Sequence, residues 1–331
     1  MQSSPSRILI IQTASIGDVI LATALLESLH RRFPEARIDF LAKKGMEGLF
    51  SGHPFLNELL LWKKSEGKYP SLASLIIKVR RKKYDLIVNV QRFFSSGMIT
   101  ALSGSPVRTG FTKNPLHWFF TRSFPHTIGE GMHETERNFS LISWIEGTDY
   151  HRPRLYPGEK EKKAIEDYRK QKYITLAPAS LWHTKQYPPD QWIAFLKALP
   201  KALDVYLLGG PQDFALCEHI REAAGKAHIC NLSGKLSLLA SATLMQGAAM
   251  NYMNDSAPLH LASAVNAPSA VVFCSTVPEF GFGPLSDQRF IIQTEEKLSC
   301  RPCGLHGKTA CPEKHFDCAK TISVDKLLKS L

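Results

Sequence analysis

The sequence predicts an α/β protein made of two Rossmann-like, doubly wound parallel-sheet domains. Three observations carry this reading. Short apolar runs alternate with longer stretches of helical apolar spacing, the pattern of strand–helix–strand units. The chain has 331 residues, 44% of them hydrophobic, which suffices for two cores. Residues 146–159 (EGTDYHRPRLYPGE) interrupt the alternation with Gly, Pro and charge, and it then begins again. The two expected domains are residues 1–155 and 156–331, facing one cleft.

Residues 7–12 (RILIIQ) form a short buried strand. Residues 19–32 (VILATALLESLHRR) carry apolar side chains at helical spacing and stop before Phe33 and Pro34. A second strand comes next at 36–41, then a basic amphipathic helix at 72–81, a buried strand at 84–90 (YDLIVNV) and a short strand at 107–111. Residues 114–126 (NPLHWFFTRSFPH) are aromatic and basic without a clear period and read as a loop. A helix at 134–145 closes the first domain. The second opens with a charged helix at 160–170, and its strands are expected at 173–176, 204–208, 248–253 and 269–273. Helices at 190–199, 212–224, 237–246 and 258–265 lie between them, and 324–331 is a short terminal helix. No low-complexity segment or short-period repeat occurs.

The net charge is +11 and unevenly spread. Residues 1–170 hold 26 Lys/Arg against 17 Asp/Glu, or +9, and residues 171–331 hold 15 against 13, or +2. Any single basic cluster, such as Arg80-Arg81-Lys82-Lys83, is ordinarily a solvated surface. An excess over half a chain points instead to an anionic partner: nucleic acid, anionic lipid or a phosphorylated glycan. No apolar run reaches the ~18–20 residues of a membrane span. Residues 1–7 carry no apolar signal region. A cytoplasmic location is expected.

Three strand-to-helix junctions carry candidate chemistry. Thr13-Ala14-Ser15-Ile16-Gly17-Asp18 lies directly after the first strand and opens the first helix, where doubly wound sheets bind ligands. It lacks the G-x-G-x-x-G fingerprint of a nicotinamide dehydrogenase. Gly17 permits an unusual backbone angle or close ligand approach. Asp18 fits two roles, a carboxylate favouring the helix N-terminus or a general base aimed into the cleft. In the loop 177–188, Lys185 can neutralise a phosphate while Ser180 or Thr184 donates hydrogen bonds. Trp182, Tyr187 and Trp192 can equally pack against the domain. In Leu207-Leu208-Gly209-Gly210-Pro211, a strand runs into a glycine turn open to a nucleoside.

The most informative stretch is 251–266, a strand end, a polar turn and a helix. Asp255 or Ser256 can cap that helix, and Pro258 suits its first turn. The N–H groups near Ser256 and Ala257, backed by the helix dipole, suit a phosphate, and His260 falls on a side that can face the same anion. Near the C-terminus, Cys300, Cys303, Cys311 and Cys318 crowd into nineteen residues with His306 and His315 among them. They suit a structural zinc site or a reduced thiol cluster packing the tail. The spacing has no second C-x2-C, and the thiol cluster is preferred.

This ordered set resembles the ADP-heptose:lipopolysaccharide heptosyltransferases, the ninth glycosyltransferase family, over nearly the whole chain. The matching features are S-x-G-D at Ser15–Asp18, a phosphate-lysine loop from Pro178-Ala179 through Lys185-Gln186-Tyr187-Pro188, the L-G-G strand end and a D-[ST]-G-x-x-H-x-A-[AS]-A segment beginning at Asp255. The C-terminal cysteine spacing resembles that of type II members. The resemblance implies a GT-B fold and inverting, metal-independent transfer from ADP-L-glycero-D-manno-heptose to the inner core of lipopolysaccharide. It implies Asp18 as base, Lys185 as phosphate lysine, Asp255, Ser256 and Ala257 as the sugar and phosphate turn, and His260 as the helix histidine. Ser180 and Gly209 fall on the donor side, and Ser15, Gly17 and Arg92 on the acceptor side. Here Ala257 replaces the family glycine, Pro178 another glycine, and Gln186-Tyr187 an Arg-Trp pair.

On this reading no cofactor is required beyond the ADP-heptose donor. The acceptor is an anionic glycolipid bearing lipid A phosphates and Kdo carboxylates, reached by peripheral contact at the inner face of the inner membrane. Two other readings compete: a related GT-B transferase or epimerase using another nucleotide sugar, and a basic nucleic-acid-binding protein with a zinc module. The second lacks a recognisable binding motif and a regular aromatic interleave, so no nucleic-acid partner is expected.

Overall fold

A computed structural model of the chain describes residues 4–64 and 67–331. Residues 1–3 of the N-terminal stretch lie outside them. The chain divides into two compact units, Met1–Tyr156 and Pro157–Leu331.

The first unit runs β1 (Arg7–Ile11), α1 (Ile16–Arg32), β2 (Arg37–Lys43), β3 (Leu56–Trp62), α2 (Lys68–Lys82), β4 (Leu86–Asn89), α3 (Phe94–Leu102), β5 (Val107–Phe111), β6 (Arg122–Phe124) and α4 (Glu134–Phe139). Its six strands pair in parallel in the order β3-β2-β1-β4-β5-β6. Ile8, Leu9, Ile10 and Ile11 of β1 are fully buried at the sheet centre. That explains why the strand reads as an unbroken apolar run, since a parallel strand is covered on both faces.

The second unit runs α5 (Glu159–Ala164), β7 (Tyr173–Ala177), α6 (Pro189–Ala198), β8 (Asp204–Leu207), α7 (Phe214–Ala224), β9 (Ile229–Asn231), α8 (Leu238–Gly247), β10 (Asn251–Asn254), α9 (Ala257–Ala264), β11 (Ser269–Phe273), β12 (Arg289–Gln293), α10 (Asp317–Lys320) and α11 (Val324–Leu328). The order is β12-β11-β10-β7-β8-β9, again parallel throughout. Trp192, Tyr187, Phe195 and Tyr252 fill its core. The hydroxyl of Tyr187 donates to the Ile322 carbonyl at 2.7 Å and fastens the C-terminal tail to that core.

Numbered within each unit, both sheets have the strand order 3-2-1-4-5-6 or its mirror listing. Strand order therefore reverses between β1 and β4 and again between β7 and β10. Such switch points leave a crevice beyond the carboxyl ends of the strands, where ligands bind in this fold class. The two Rossmann-like sheets expected from the sequence are thus present.

Several elements differ from the sequence expectation. β3, α3, β6, β9 and β12 are present without a clear signal in the sequence pattern. β6 and β9 have three residues each, too few to show a period. β3 and β12 are edge strands with partly exposed residues, so their apolar pattern is broken. β6 also lies within the segment expected to be wholly loop. The helix expected over 134–145 ends at Phe139 and continues as mixed i→i+3 and i→i+4 turns through Ile145. The charged helix expected over 160–170 ends at Ala164, and a 3-10 turn at Glu166–Arg169 comes after it.

The Gly- and Pro-rich segment is not a free tether. Its later half is docked on α1: the His151 and Arg154 amides donate to Ser28 Oγ and Thr23 Oγ1, and the Tyr156 hydroxyl donates to Glu27 Oε1 at 2.7 Å. No helix among the described residues is long and apolar enough to cross a membrane.

Candidate active site

In the first unit the candidate residues gather where β1 and β4 end. Ser15 is the N-cap of α1 and Asp18 its third helical residue, and the two form a reciprocal capping box. Asp18 Oδ2 accepts from the Ser15 amide at 3.1 Å and from Ser15 Oγ at 2.6 Å, while the Asp18 amide donates to Ser15 Oγ. This orients the carboxylate and leaves Oδ1 without a hydrogen bond among the described residues. The helix role and a carboxylate oxygen outside the capping box therefore coexist in one half-buried residue.

Gly17 is buried within α1 with ordinary helical backbone, so it has no unusual backbone angle. The Gln91 side-chain amide donates to Gln12 Oε1 and joins the ends of β4 and β1. Arg92 is half-buried directly after it.

In the second unit the residues gather where β7 and β10 end. Lys185 Nζ lies 2.6 Å from Asp255 Oδ2, both side chains being largely buried. The same oxygen accepts from Thr276 Oγ1 at 2.7 Å. Asn254, at the end of β10, accepts from the Tyr187 amide at 2.9 Å and donates to the Pro178 carbonyl at 2.7 Å. This fully buried amide fixes the lysine loop to the strand that carries Asp255.

Ser256 is the N-cap residue of α9, but its hydroxyl makes no capping bond and is directed to the Ala179 and Asn254 carbonyls at 3.4 Å. Neither Asp255 nor Ser256 therefore caps the helix through its side chain. Ala257 and Pro258 occupy the first two helical positions. Pro258 has no amide N–H and the Leu259 amide donates to the Ser256 carbonyl at 3.0 Å, so the amides of Ser256 and Ala257 are the ones this turn keeps for an anion. Ala257 adopts ordinary helical backbone, so replacing the family glycine introduces no strain. His260 is buried in the fourth position of α9.

Ser180 is half-buried, and its carbonyl accepts from Gln186 Nε2 at 2.6 Å. Thr184 is buried, and its hydroxyl oxygen accepts from the Lys308 amide at 2.8 Å and from Ser275 Oγ at 3.0 Å, which ties the lysine loop to the tail. Gly209 lies just past β8, where a Cβ would sit 2.8 Å from Asp213 Cβ; Asp213 Oδ2 meanwhile accepts from the Gly210 amide.

Sequence reasoning missed the part played by the C-terminal tail. The Cys303 amide donates to the Ser275 carbonyl, and Lys308 brackets Thr184 through both backbone groups. Gly307 (φ +78°) packs on the stem of Lys185 so closely that a Cβ there would sit 2.8 Å from Lys185 Cγ. The Arg301 guanidinium donates to the carbonyls of Cys274 and Thr276 and to Gln293 Oε1. Burial holds its pKa below the ordinary arginine value, against the opposing pull of nearby Cys318 and Cys274. Arg301 thereby orders the segment that places Thr276 on Asp255. No local motif announces it; only its contacts do.

All seven cysteines are free thiols. Cys303 Sγ donates to the Cys300 carbonyl at 3.2 Å, and Cys300 Sγ lies 3.9 Å from His315 Nε2. Burial, reinforced by Cys303 and Cys311, pushes the Cys318 thiol up to about 12. Among the described residues no three His, Cys, Asp or Glu side chains are gathered as a metal-holding group.

The family model described as glycosyltransferase family 9 (heptosyltransferase) matches residues 72–312. Lipopolysaccharide heptosyltransferase 3 of Escherichia coli is 26% identical over 275 residues, covering 78% of this chain and 81% of that protein. Among solved structures, the ADP-heptose LPS heptosyltransferase II of E. coli superposes with a TM-score of 0.78 at 22% identity, covering 98% of this chain and 97% of that one. The E. coli heptosyltransferase WaaC with ADP superposes with a TM-score of 0.74 at 20% identity, covering 98% of each.

Proposed function

Since this chain belongs to glycosyltransferase family 9, the heptosyltransferases, we propose that it transfers a heptose from ADP-L-glycero-D-manno-heptose to the inner core of lipopolysaccharide, with inversion and without a metal. The observation that carries this reading is the chemistry at the two switch points. One presents a carboxylate, and the other presents a cation beside the open N-terminus of α9.

The first unit binds the acceptor through Asp18, Ser15, Gly17 and Arg92. The second binds the donor through Lys185, Ser180, Gly209, Asp255, Ser256, Ala257 and His260. The acceptor hydroxyl attacks the anomeric carbon, and its proton passes to the Asp18 carboxylate. The bond from that carbon to the diphosphate oxygen breaks, and ADP departs with the electron pair. Lys185 has three N–H donors; Asp255 engages one and so aims the ammonium, leaving two for the departing diphosphate. The α9 amides add fixed positive charge where negative charge develops. The net charge of +9 over residues 1–170 suits an acceptor rich in phosphate and carboxylate. The reaction takes place in the cytoplasm, at the inner face of the inner membrane.

A donor screen tests the reading. Purified protein offered ADP-heptose, ADP-hexoses and UDP-sugars with a core acceptor should transfer from ADP-heptose and yield the inverted anomer. Turnover only with a UDP-sugar would favour the related transferase or epimerase.

A further inference from the structure

Four aromatic side chains stand in solvent on two adjoining loops of the first unit. Phe93 and Phe94 lie where β4 passes into α3 and are 66% and 56% exposed, while Trp118 and Phe119, between β5 and β6, are 83% and 59% exposed. The loops are rigidly joined. Asn114, fully buried, donates through Nδ2 to the carbonyls of Gln91 and Phe93 at 3.0 Å and accepts from the Leu116 amide at 3.0 Å. Arg108 Nε holds the Phe119 carbonyl at 2.9 Å. The aromatics are thus displayed by a built scaffold. Their exposure needs a reason, since large apolar patches mark interaction surfaces.

Along this stretch of chain the Asp, Glu, Lys and Arg charges have one sign. From residue 86 to residue 129 the chain contains no Asp or Glu, while Arg92, Arg108, Lys113 and Arg122 lie within that span. Exposed aromatic rings on a stretch of chain whose Asp, Glu, Lys and Arg residues are all cationic match an anionic lipid interface: rings settle at the headgroup–acyl boundary and cations meet lipid phosphates. Phe93 and Phe94 lie just past the carboxyl end of β4, where Gln91 is tied to Gln12 and the loop of Asp18, and Trp118 and Phe119 lead into β6 beside Arg108 of β5.

We propose that this face docks on an anionic phospholipid bilayer, with Trp118, Phe119, Phe93 and Phe94 entering the interface and Arg92, Lys113 and Arg122 contacting headgroups. The proposal rests on the glycolipid-acceptor reading for its purpose: a face seated on the membrane brings the Asp18 edge of the unit close to a lipid-borne hydroxyl. The docking itself is measured without acceptor or donor, so it stands or falls apart from the sugar chemistry.

The test is sedimentation with vesicles of phosphatidylglycerol and phosphatidylethanolamine, against vesicles of phosphatidylcholine, with tryptophan quenching by brominated lipid. The wild type should bind the anionic vesicles and be quenched. Trp118→Ser with Phe119→Ser, both at exposed positions, should lower partitioning roughly tenfold by removing inserted apolar surface. Their melting temperature and their transfer to a deacylated, water-soluble acceptor should be unchanged. Trp118→Phe should keep the binding but lose most of the quenching. No binding by the wild type, or unaltered binding by the double variant, overturns the proposal. So does a wild-type dimer that dissociates in the double variant, because a second copy would then cover the patch.

Discussion

Lys185 and Asp255, seventy residues apart in sequence, form a largely buried ion pair with Nζ 2.6 Å from Oδ2. Lys185 therefore has a structural duty besides any phosphate contact. Lys185→Ala should destabilise the fold by about 3 kcal/mol, because it leaves a buried carboxylate with Thr276 as its remaining side-chain partner. Adding Asp255→Asn should restore part of that loss. Calorimetry should show ADP binding weakened far more than adenosine binding. Equal weakening of both ligands would count against the phosphate role.

Asp18→Asn retains groups able to serve the capping box, so stability should change by less than about 1 kcal/mol. Turnover should fall roughly 10²–10⁴-fold through loss of the base. Steady-state kinetics beside thermal melting separates the two effects, and near-normal turnover would remove Asp18 from proton transfer.

Gly307→Ala tests the coupling of the cysteine-rich tail to the lysine. The new Cβ meets the Lys185 stem at 2.8 Å, at a positive φ where L-residues pay roughly 1–2 kcal/mol. ADP affinity should drop several-fold along with the melting temperature. Unchanged affinity would mean that the tail does not position Lys185.

His53 supplies a pH signature. It is buried near the rings of Phe50, Phe55 and Tyr156, and its Nδ1 accepts from the Phe55 amide at 3.3 Å. Burial first, and the charge of His30 second, depress its pKa from 6.5 to about 4. The unfolded chain takes up a proton that the folded chain refuses. This contribution is therefore fully present above pH 6.5 and is lost as pH falls toward 4, by up to about 3 kcal/mol, levelling off below. Urea denaturation across that range should show the loss, and His53→Phe should flatten it. Parallel pH profiles for the two proteins would exclude His53 as the source.

Transfer should persist in EDTA if, as proposed, Lys185 and the α9 amides meet the charge of the leaving diphosphate. Abolition by EDTA and recovery with a divalent ion would place a metal in the reaction.

The sequence by itself determined the alternation of strands and helices, the break near residue 156 and the junctions that carry Asp18, Lys185 and Asp255. These are local properties: period, turn chemistry and the residue types just past a buried strand. The short and edge strands β6, β9 and β12 escaped because three residues show no period and a half-covered strand lacks an unbroken apolar run. Only the tertiary structure decided how the junctions are used. Asp18 is both cap and presented carboxylate, because Ser15 engages one of its oxygens. Thr184 also anchors the tail, its hydroxyl oxygen accepting from the amide of Lys308, 124 residues away. Thr276 enters the site through its hydroxyl on Asp255, Arg301 through a guanidinium on backbone carbonyls, and Gly307 through its lack of a Cβ, and none of them stands in a local motif. Their roles depend on which segments the sheet brings together, and that is settled by packing at long sequence separation.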